Sequence, residues 1–173
     1  TKREFLADVR SNVIADKVET EVFRRLNRNS PRNEKISWEN SLQYMSQVLW
    51  DEDIPASAGV AIEYNLPMTN RRVDFILTGK DKDRRDTAVL IELKQWQNVE
   101  KTNKDAIVKT RFQHGMKETN HPSYQAWSYG ALIQDYNETV RKESILLQPC
   151  AYLHNMDFGH VINDPFYEAH TNK

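Results

Sequence analysis

The chain has 173 residues, 39% of them hydrophobic and 28% charged, with a formal net charge of −1. That length supports one sizeable core and leaves too little for two comfortable domains, so a single domain over 1–173 is expected. No apolar run approaches the ~20 residues of a membrane-spanning helix, and no charged, apolar and small-residue leader opens the chain. The near-zero charge gives no global field to attract an anionic partner, so any nucleic-acid binding must come from local basic patches. Cys150 is the single cysteine, which rules out an internal disulfide and favours a reducing cytoplasmic setting with no membrane partner. Its apolar flanks suit a small buried hydrophobe.

Phe5, Leu6, Val9, Val13, Ile14, Val18, Val22, Phe23 and Leu26 recur at helical spacing and predict one long amphipathic helix from about residue 3 to 27. A polar link with Pro31 fills 27–35. Ser37 is placed as the N-cap of a second helix whose inner face carries Trp38, Leu42, Met45, Val48 and Leu49. Pro55 helps to end it within 51–57, so 1–50 form a helical N-terminal part. Strands are expected over 59–66, 70–77 and 87–95. The stretch 97–120 is polar, with a short strand read over 106–112. Residues 124–137 form an aromatic-rich helix and 144–154 a last strand, which closes a core over 58–155. The tail, 156–173, is irregular after Gly159 and reads as a docking segment. This order suits an α/β (α+β) class, a mixed central β-sheet flanked by helices.

The chemistry is concentrated on two of the strands. Arg72-Val73-Asp74-Phe75-Ile76-Leu77 is followed by a charged insert over 79–86 and then by Val89-Leu90-Ile91-Glu92-Leu93-Lys94. Glu92 and Lys94 are two apart and share one strand face, with Ile91 and Leu93 on the other. Asp74 comes from the neighbouring strand, 92 − 74 = 18 positions earlier. Two converging carboxylates hold a divalent cation through oxygen. An ammonium beside them orients a water and stabilises developing negative charge. That is equipment for metal-assisted phosphodiester hydrolysis. The plainer alternative is an ion pair of Asp74 with Arg72 or Lys94. The apolar run over 88–91 points instead to a central, buried strand, where charge is rare unless paired or functional.

This arrangement resembles the PD-(D/E)xK nuclease superfamily, whose signature is an Asp on one strand and Glu-x-Lys or Asp-x-Lys on the next. Val73 stands where the name-giving motif has Pro. Gln125 and Tyr129, four apart on one helical face, resemble the Gln-x-x-x-Tyr helix of the recombination helicase-nuclease branch, which lines the site and touches nucleic acid. The ordered segments Ser37-Trp38-Glu39-Asn40-Ser41-Leu42, Glu63-Tyr64-Asn65-Leu66-Pro67, Ile91-Glu92-Leu93-Lys94-Gln95-Trp96, His121-Pro122-Ser123-Tyr124-Gln125 and Tyr152-Leu153-His154-Asn155 narrow the likeness. Together with Arg72-Val73-Asp74 they look like the N-terminal nuclease-like region of bacterial Schlafen-group-3-like helicase proteins, over nearly the whole chain.

The resemblance implies a restriction-endonuclease-like core with an N-terminal helical extension. It implies Mg²⁺ or Mn²⁺ held by Asp74, Glu92 and the Leu93 carbonyl, with Lys94 positioning the attacking water or stabilising charge, and with Gln125 and Tyr129 completing the catalytic set. It also implies a downstream helicase or ATPase domain. No Gly-x-x-x-x-Gly-Lys-Ser/Thr occurs and the chain opens without Met, so a nuclease module trimmed from a longer protein is expected.

Other residues carry weaker expectations. Glu63 either adds a metal ligand or pairs with Arg71 or Arg72. Glu39 is read as a solvated helix position, Trp96 as packing, and Gln95 as facing away unless the strand bends. His121 and His154 are read as capping or core residues, and no Cys/His spacing suits zinc. Substrate contact is expected from Lys101, Lys104, Lys109, Arg111, His114 and Lys117 at the rim of the site; the Lys80–Arg85 insert is diluted by Asp81, Asp83 and Asp86. The expected function is a metal-dependent nuclease, with DNA favoured by the superfamily and RNA kept open by the Schlafen likeness. Its alternatives are a catalytically weak nucleic-acid-binding module and a regulatory module of a helicase protein.

Overall fold

A computed structural model describes residues 1–67, 69–112, 114–157 and 161–171. Residues 158–160 and 172–173 of the expected tail lie outside the described residues.

The N-terminal helical run is two helices, α1 (Lys2–Arg10) and α2 (Ile14–Leu26), rather than one. The chain turns at Asn12, φ 55°, a left-handed conformation that Asn tolerates better than most residues. The Asn12 and Val13 N–H groups close α1 by bonding back to Val9 and Asp8. Phe5 and Val9 of α1 and Ile14, Val18 and Val22 of α2 face the same core, so apolar spacing runs unbroken through the break. Helix α3 (Arg32–Val48) opens with Pro31 at its N-cap, ahead of the expected start at Ser37.

Then come β1 (Gly59–Asn65), β2 (Arg72–Lys80), β3 (Asp86–Lys94), β4 (Val99–Lys101), β5 (Ile107–Phe112) and β6 (Gly115–Asn120). Helices α4 (Pro122–Tyr136) and α5 (Glu138–Lys142) lead to β7 (Leu146–Leu153), and a short α6 (Glu168–Thr171) follows. The central sheet has the order β1-β2-β3-β7. Its first three strands are antiparallel and β7 runs parallel to β3, so the sheet is mixed, as expected. Helices α1–α3 bury one face, with Phe5, Leu42 and Met45 against Phe75 and Ile91. On the other face, Tyr129 and Ile133 of α4 pack on Ile76 and Leu90. The α+β class with helices flanking the sheet follows directly.

A second antiparallel sheet, β4-β5-β6, occupies the polar stretch where only β5 is anticipated. It has its own small core of Val108, Ile162 and Tyr167. Tyr167 is fully buried; its hydroxyl donates to the Ile107 carbonyl at 2.8 Å and accepts from the Thr102 N–H at 3.0 Å. The segment carrying Ile162 and Tyr167 thus docks on the second sheet. Cys150 is exposed on the edge strand β7 rather than buried. Among the described residues no helix is long and apolar enough to cross a membrane.

Candidate active site

The site begins where two strands part. β2 and β3 pair from Lys80↔Asp86 to Phe75↔Ile91, and there the ladder stops. Asp74 and Glu92 are the next residues along. The Leu93 N–H, no longer paired across the sheet, donates to Asp74 Oδ2 at 2.8 Å. A strand residue's N–H and C=O leave the same edge, so the Leu93 carbonyl faces the same gap. On the other side, Ile62↔Phe75 and Tyr64↔Val73 flank Glu63, which lies opposite Asp74 with φ 53°. A non-glycine residue there costs roughly 1–2 kcal/mol. The alternation of β2 fails at the same point: Val73 and Ile76 pack toward α4, whereas Phe75 packs under α1–α3. The strand kinks at Asp74.

The parted strands, α3 and α4 enclose a cleft of about 400 Å³. Asp74, Glu92, Leu93, Lys94, Gln125 and Tyr129 all line it, so the two carboxylates, the ammonium and the Gln-x-x-x-Tyr pair meet. Glu92 is only 3% exposed. Its Oε1 accepts from Lys94 Nζ at 2.6 Å and from Gln125 Nε2 at 2.6 Å. Gln125 Nε2 also donates to the Tyr129 hydroxyl at 2.8 Å. Glu92 Oε2 is buried and takes no hydrogen bond from any described residue. The Asp74 and Glu92 carboxyl groups line the same cleft, near enough for the Asp74 charge to act on Glu92.

The electrostatics follow from that crowding. Burial, and then the Asp74 charge, push Glu92 up to about 7 against the pull of Lys94. Burial raises Asp74 as well, outweighing the Leu93 N–H, Lys94 and Arg72. Tyr129 is raised by burial and by Glu92. A buried and a half-buried carboxyl group with one bare oxygen fit a hard divalent cation such as Mg²⁺ or Mn²⁺, because every available donor is an oxygen. Among the described residues no group of three or more His, Cys, Asp or Glu side chains gathers around a point. The protein's share of a coordination shell would therefore be Asp74, Glu92 and the Leu93 carbonyl. Magnesium is commonly held by one or two carboxylates, with waters and substrate phosphate completing the shell.

The wall toward α3 is an ion-pair network of which the sequence suggested only the Glu63–Arg72 pair. Arg72 Nη1 lies 2.6 Å from Glu63 Oε2, and its Nη2 donates to Glu34 Oε1 at 2.8 Å. Trp38 Nε1 donates to Glu63 Oε1 at 2.8 Å. Arg28 Nη2 reaches the same Glu34 Oε1 at 3.0 Å. Of the two roles open to Glu63, the structure displays the pairing with Arg72, with both carboxylate oxygens engaged. Burial raises Glu63. In Glu34 the hydrogen bonds from Arg72 and Arg28 outweigh burial and hold the carboxyl low. The available signal was that Glu34 and Trp38, four apart, share a helical face; it needed the true start of α3 to be useful.

The expected substrate cations sit elsewhere. Lys101, Lys104, Lys109, Arg111 and Lys117 belong to the β4-β5-β6 sheet and its turns. Lys101 pairs with Asp164 and Lys104 with Glu118, each at 2.6 Å, and Lys109 with Glu100 at 3.9 Å. None of the five lines the cleft, whose cations are Arg71, Arg72 and Lys94. Glu39 is exposed, as expected. The Gln95 amide donates to the Ser37 carbonyl at 2.9 Å and to Ser41 Oγ at 3.0 Å, tying the end of β3 to α3. Trp96 packs on the third core with Lys94 Nζ 5.3 Å from its ring centre. His121 caps α4 through Nδ1. His154 stacks on Tyr44 at 4.4 Å and meets Ser41 Oγ at 3.1 Å.

A larger cavity, about 770 Å³, lies between the central sheet and α4–α5. Its walls include Ile76, Leu90 and Ile133, and its charged lining residues, Lys80 and Asp86, pair with each other at 2.7 Å. It offers no set of groups for catalysis, and the smaller cleft is the candidate site. Comparison of the chain with family models, with curated proteins and with solved structures finds no match.

Proposed function

We propose that the protein is a metal-dependent nuclease that hydrolyses phosphodiester bonds, DNA before RNA, and that a downstream helicase or ATPase domain normally delivers its substrate. The observation that carries the reading is Glu92, a buried carboxylate beside Asp74 with one oxygen unsatisfied. Bound there, a divalent cation supplies Lewis-acid chemistry, polarising a phosphoryl oxygen and making a nearby water a better nucleophile. Asp74 and Glu92 hold the negative charge that such an ion needs. Gln125 fixes the Glu92 carboxylate through Oε1 and is itself held by Tyr129. Lys94 spends one N–H on Glu92. The ammonium has two more to donate, to a water in line with the phosphate or to the oxygens that gain charge in the transition state.

Labelled single-stranded and duplex DNA and RNA, incubated with Mg²⁺, Mn²⁺ or EDTA, test this directly. Cleavage is expected with metal and not with EDTA, abolished by Asp74→Ala and reduced about 10²–10³-fold by Lys94→Ala. Folded wild-type protein that binds nucleic acid in metal without cutting it would replace this reading with that of a binding module.

A further inference from the structure

We propose that the corner between α2 and α3, together with Arg71, forms a phosphate track along which a nucleic-acid strand runs into the cleft. This rests on the nuclease reading and adds where the substrate lies. The chain as a whole has net charge −1, yet 24–33 hold Arg24, Arg25, Arg28 and Arg32 and no acidic residue. All four are exposed. The corner has a fixed shape: Asn27 ends α2 at φ 47°, and Pro31 opens α3.

Direct contacts join the corner to the cleft. Arg28 and Arg72 share Glu34 Oε1 at 3.0 and 2.8 Å, and Glu34 and Arg72 both line the cleft. Arg71 follows on the same rim, with an exposed side chain. Its backbone is pinned in the β1–β2 turn, N–H to Thr69 Oγ1 at 3.1 Å and carbonyl from the Leu66 N–H at 3.0 Å.

The charges along this path are under-neutralised. Glu21 serves both Arg24 and Arg25, Glu34 serves both Arg28 and Arg72, and Glu63 serves Arg72. Six arginines (24, 25, 28, 32, 71 and 72) against three carboxylates leave 6 − 3 = +3. Glu21 and its two partners are each more than half exposed, so solvent screens those pairs and they yield readily to another anion. On the second sheet Lys101, Lys104 and Lys109 each have an acid of their own, and the exposed Arg111 and Lys117 lie off the cleft. A series of guanidinium groups leading to a pair of carboxylates fits a sugar–phosphate backbone, whose phosphates accept bidentate hydrogen bonds. Such contacts set position and affinity rather than sequence preference.

The test is equilibrium binding of fluorescein-labelled single-stranded and duplex DNA and RNA to the full chain in EDTA, over a series of KCl concentrations. The variants are Arg28→Ala with Arg32→Ala, Arg71→Ala, the charge-keeping Arg28→Lys, and Lys104→Ala with Lys109→Ala. Thermal melts check that each folds. The corner double variant is expected to reduce the magnitude of the negative slope of log affinity against log salt by about 2, and Arg71→Ala by about 1, at ~1 per phosphate contact. Arg28→Lys and the second-sheet variant keep the wild-type slope. The four nucleic acids show which strand type occupies the track. Absence of wild-type binding, an unchanged slope in the corner and Arg71 variants, or a slope that flattens only in the second-sheet variant overturns the track. Cleavage in Mn²⁺, measured on the same proteins, separates the two ideas. Corner-dependent binding without cleavage keeps the track and removes the nuclease; cleavage with an unchanged corner slope does the reverse.

Discussion

At the scale of single residues, Glu92 is the group at which the proposed metal site would answer to pH. Its carboxyl is raised from 4.5 to about 7 in the folded chain, so between those values the folded protein holds a proton that the unfolded chain has released. Stability from this group is present below pH 4.5 and is lost as pH rises through about 7. The melting temperature in EDTA should therefore decline across that window. A cation needs the ionised carboxylate and displaces the proton, so Mn²⁺ should raise the melting temperature more above pH 7 than below pH 6. A metal effect independent of pH would remove Glu92 from the ligand set. Asp74→Asn separates charge from shape, because the amide oxygen still accepts from the Leu93 N–H. Without metal and above pH 7 this variant should melt higher than wild type, since one of two adjacent negative charges in a largely desolvated cleft is gone, while its response to Mn²⁺ is lost. Glu92 and Lys94 were legible because residues two apart on a strand share a face, whereas Gln125 and Tyr129 were singled out by the resemblance to the Gln-x-x-x-Tyr helix, their four-residue spacing showing only that they share a helical face. Of the Arg72 network only the Glu63 pair was offered, as one of two roles; the links to Glu34 and Trp38 were not. The network joins positions 34, 38, 63 and 72 from three elements, and its geometry depends on a left-handed Glu63 that no local pattern announces.

At the scale of elements, the failures share a cause. Apolar spacing reports which face meets the core, and it carries no mark where two consecutive helices meet the same core. Asn12 was the one local sign of the α1–α2 break, and it acts through its backbone. Asn12→Ala should destabilise the protein by about 1 kcal/mol, because alanine must take the same left-handed angle without the tolerance of asparagine. Asn12→Gly should be neutral or stabilising. Urea denaturation of the two variants decides it, and equal stability would show that α1 and α2 can fuse into one helix at little cost. The early start of α3 has a similar origin: Ser37 offered a cap side chain, but Pro31 sets a backbone angle suited to helix entry. Strands β4 and β6 went unread because most of their residues face water, and a strand with little buried surface has little apolar alternation to read. The pairing of β2 with β3 was plain by contrast, because both strands are buried between two helical layers.

At the scale of the whole molecule, the two sheets differ in how they are held. The central sheet lies between α1–α3 and α4, with apolar cores on both faces. The second sheet rests on the small core of Val108, Ile162 and Tyr167, joined to α4 through the bond from His121 Nε2 to the Ile162 carbonyl at 3.0 Å. Local opening costs less where fewer apolar groups are buried, so amide hydrogen exchange should be faster in β5 than in β2 and β3. Tyr167→Ala removes the central plug and the hydroxyl's contacts with Thr102 and Ile107, a loss of about 3 kcal/mol or more on the scale of buried aromatic deletions. If the sheets are separate cooperative units, that loss should speed exchange in β4–β6 and α6 and leave the Phe75 and Ile91 amides near their wild-type rates. The proposed metal-dependent cleavage should then be unaffected, because Asp74, Glu92 and Lys94 all stand on the central sheet. Equal acceleration at Phe75 and Ile91 would show instead that the molecule opens as one unit, and that the second sheet helps to hold β2 and β3 in the parted arrangement on which the cleft depends.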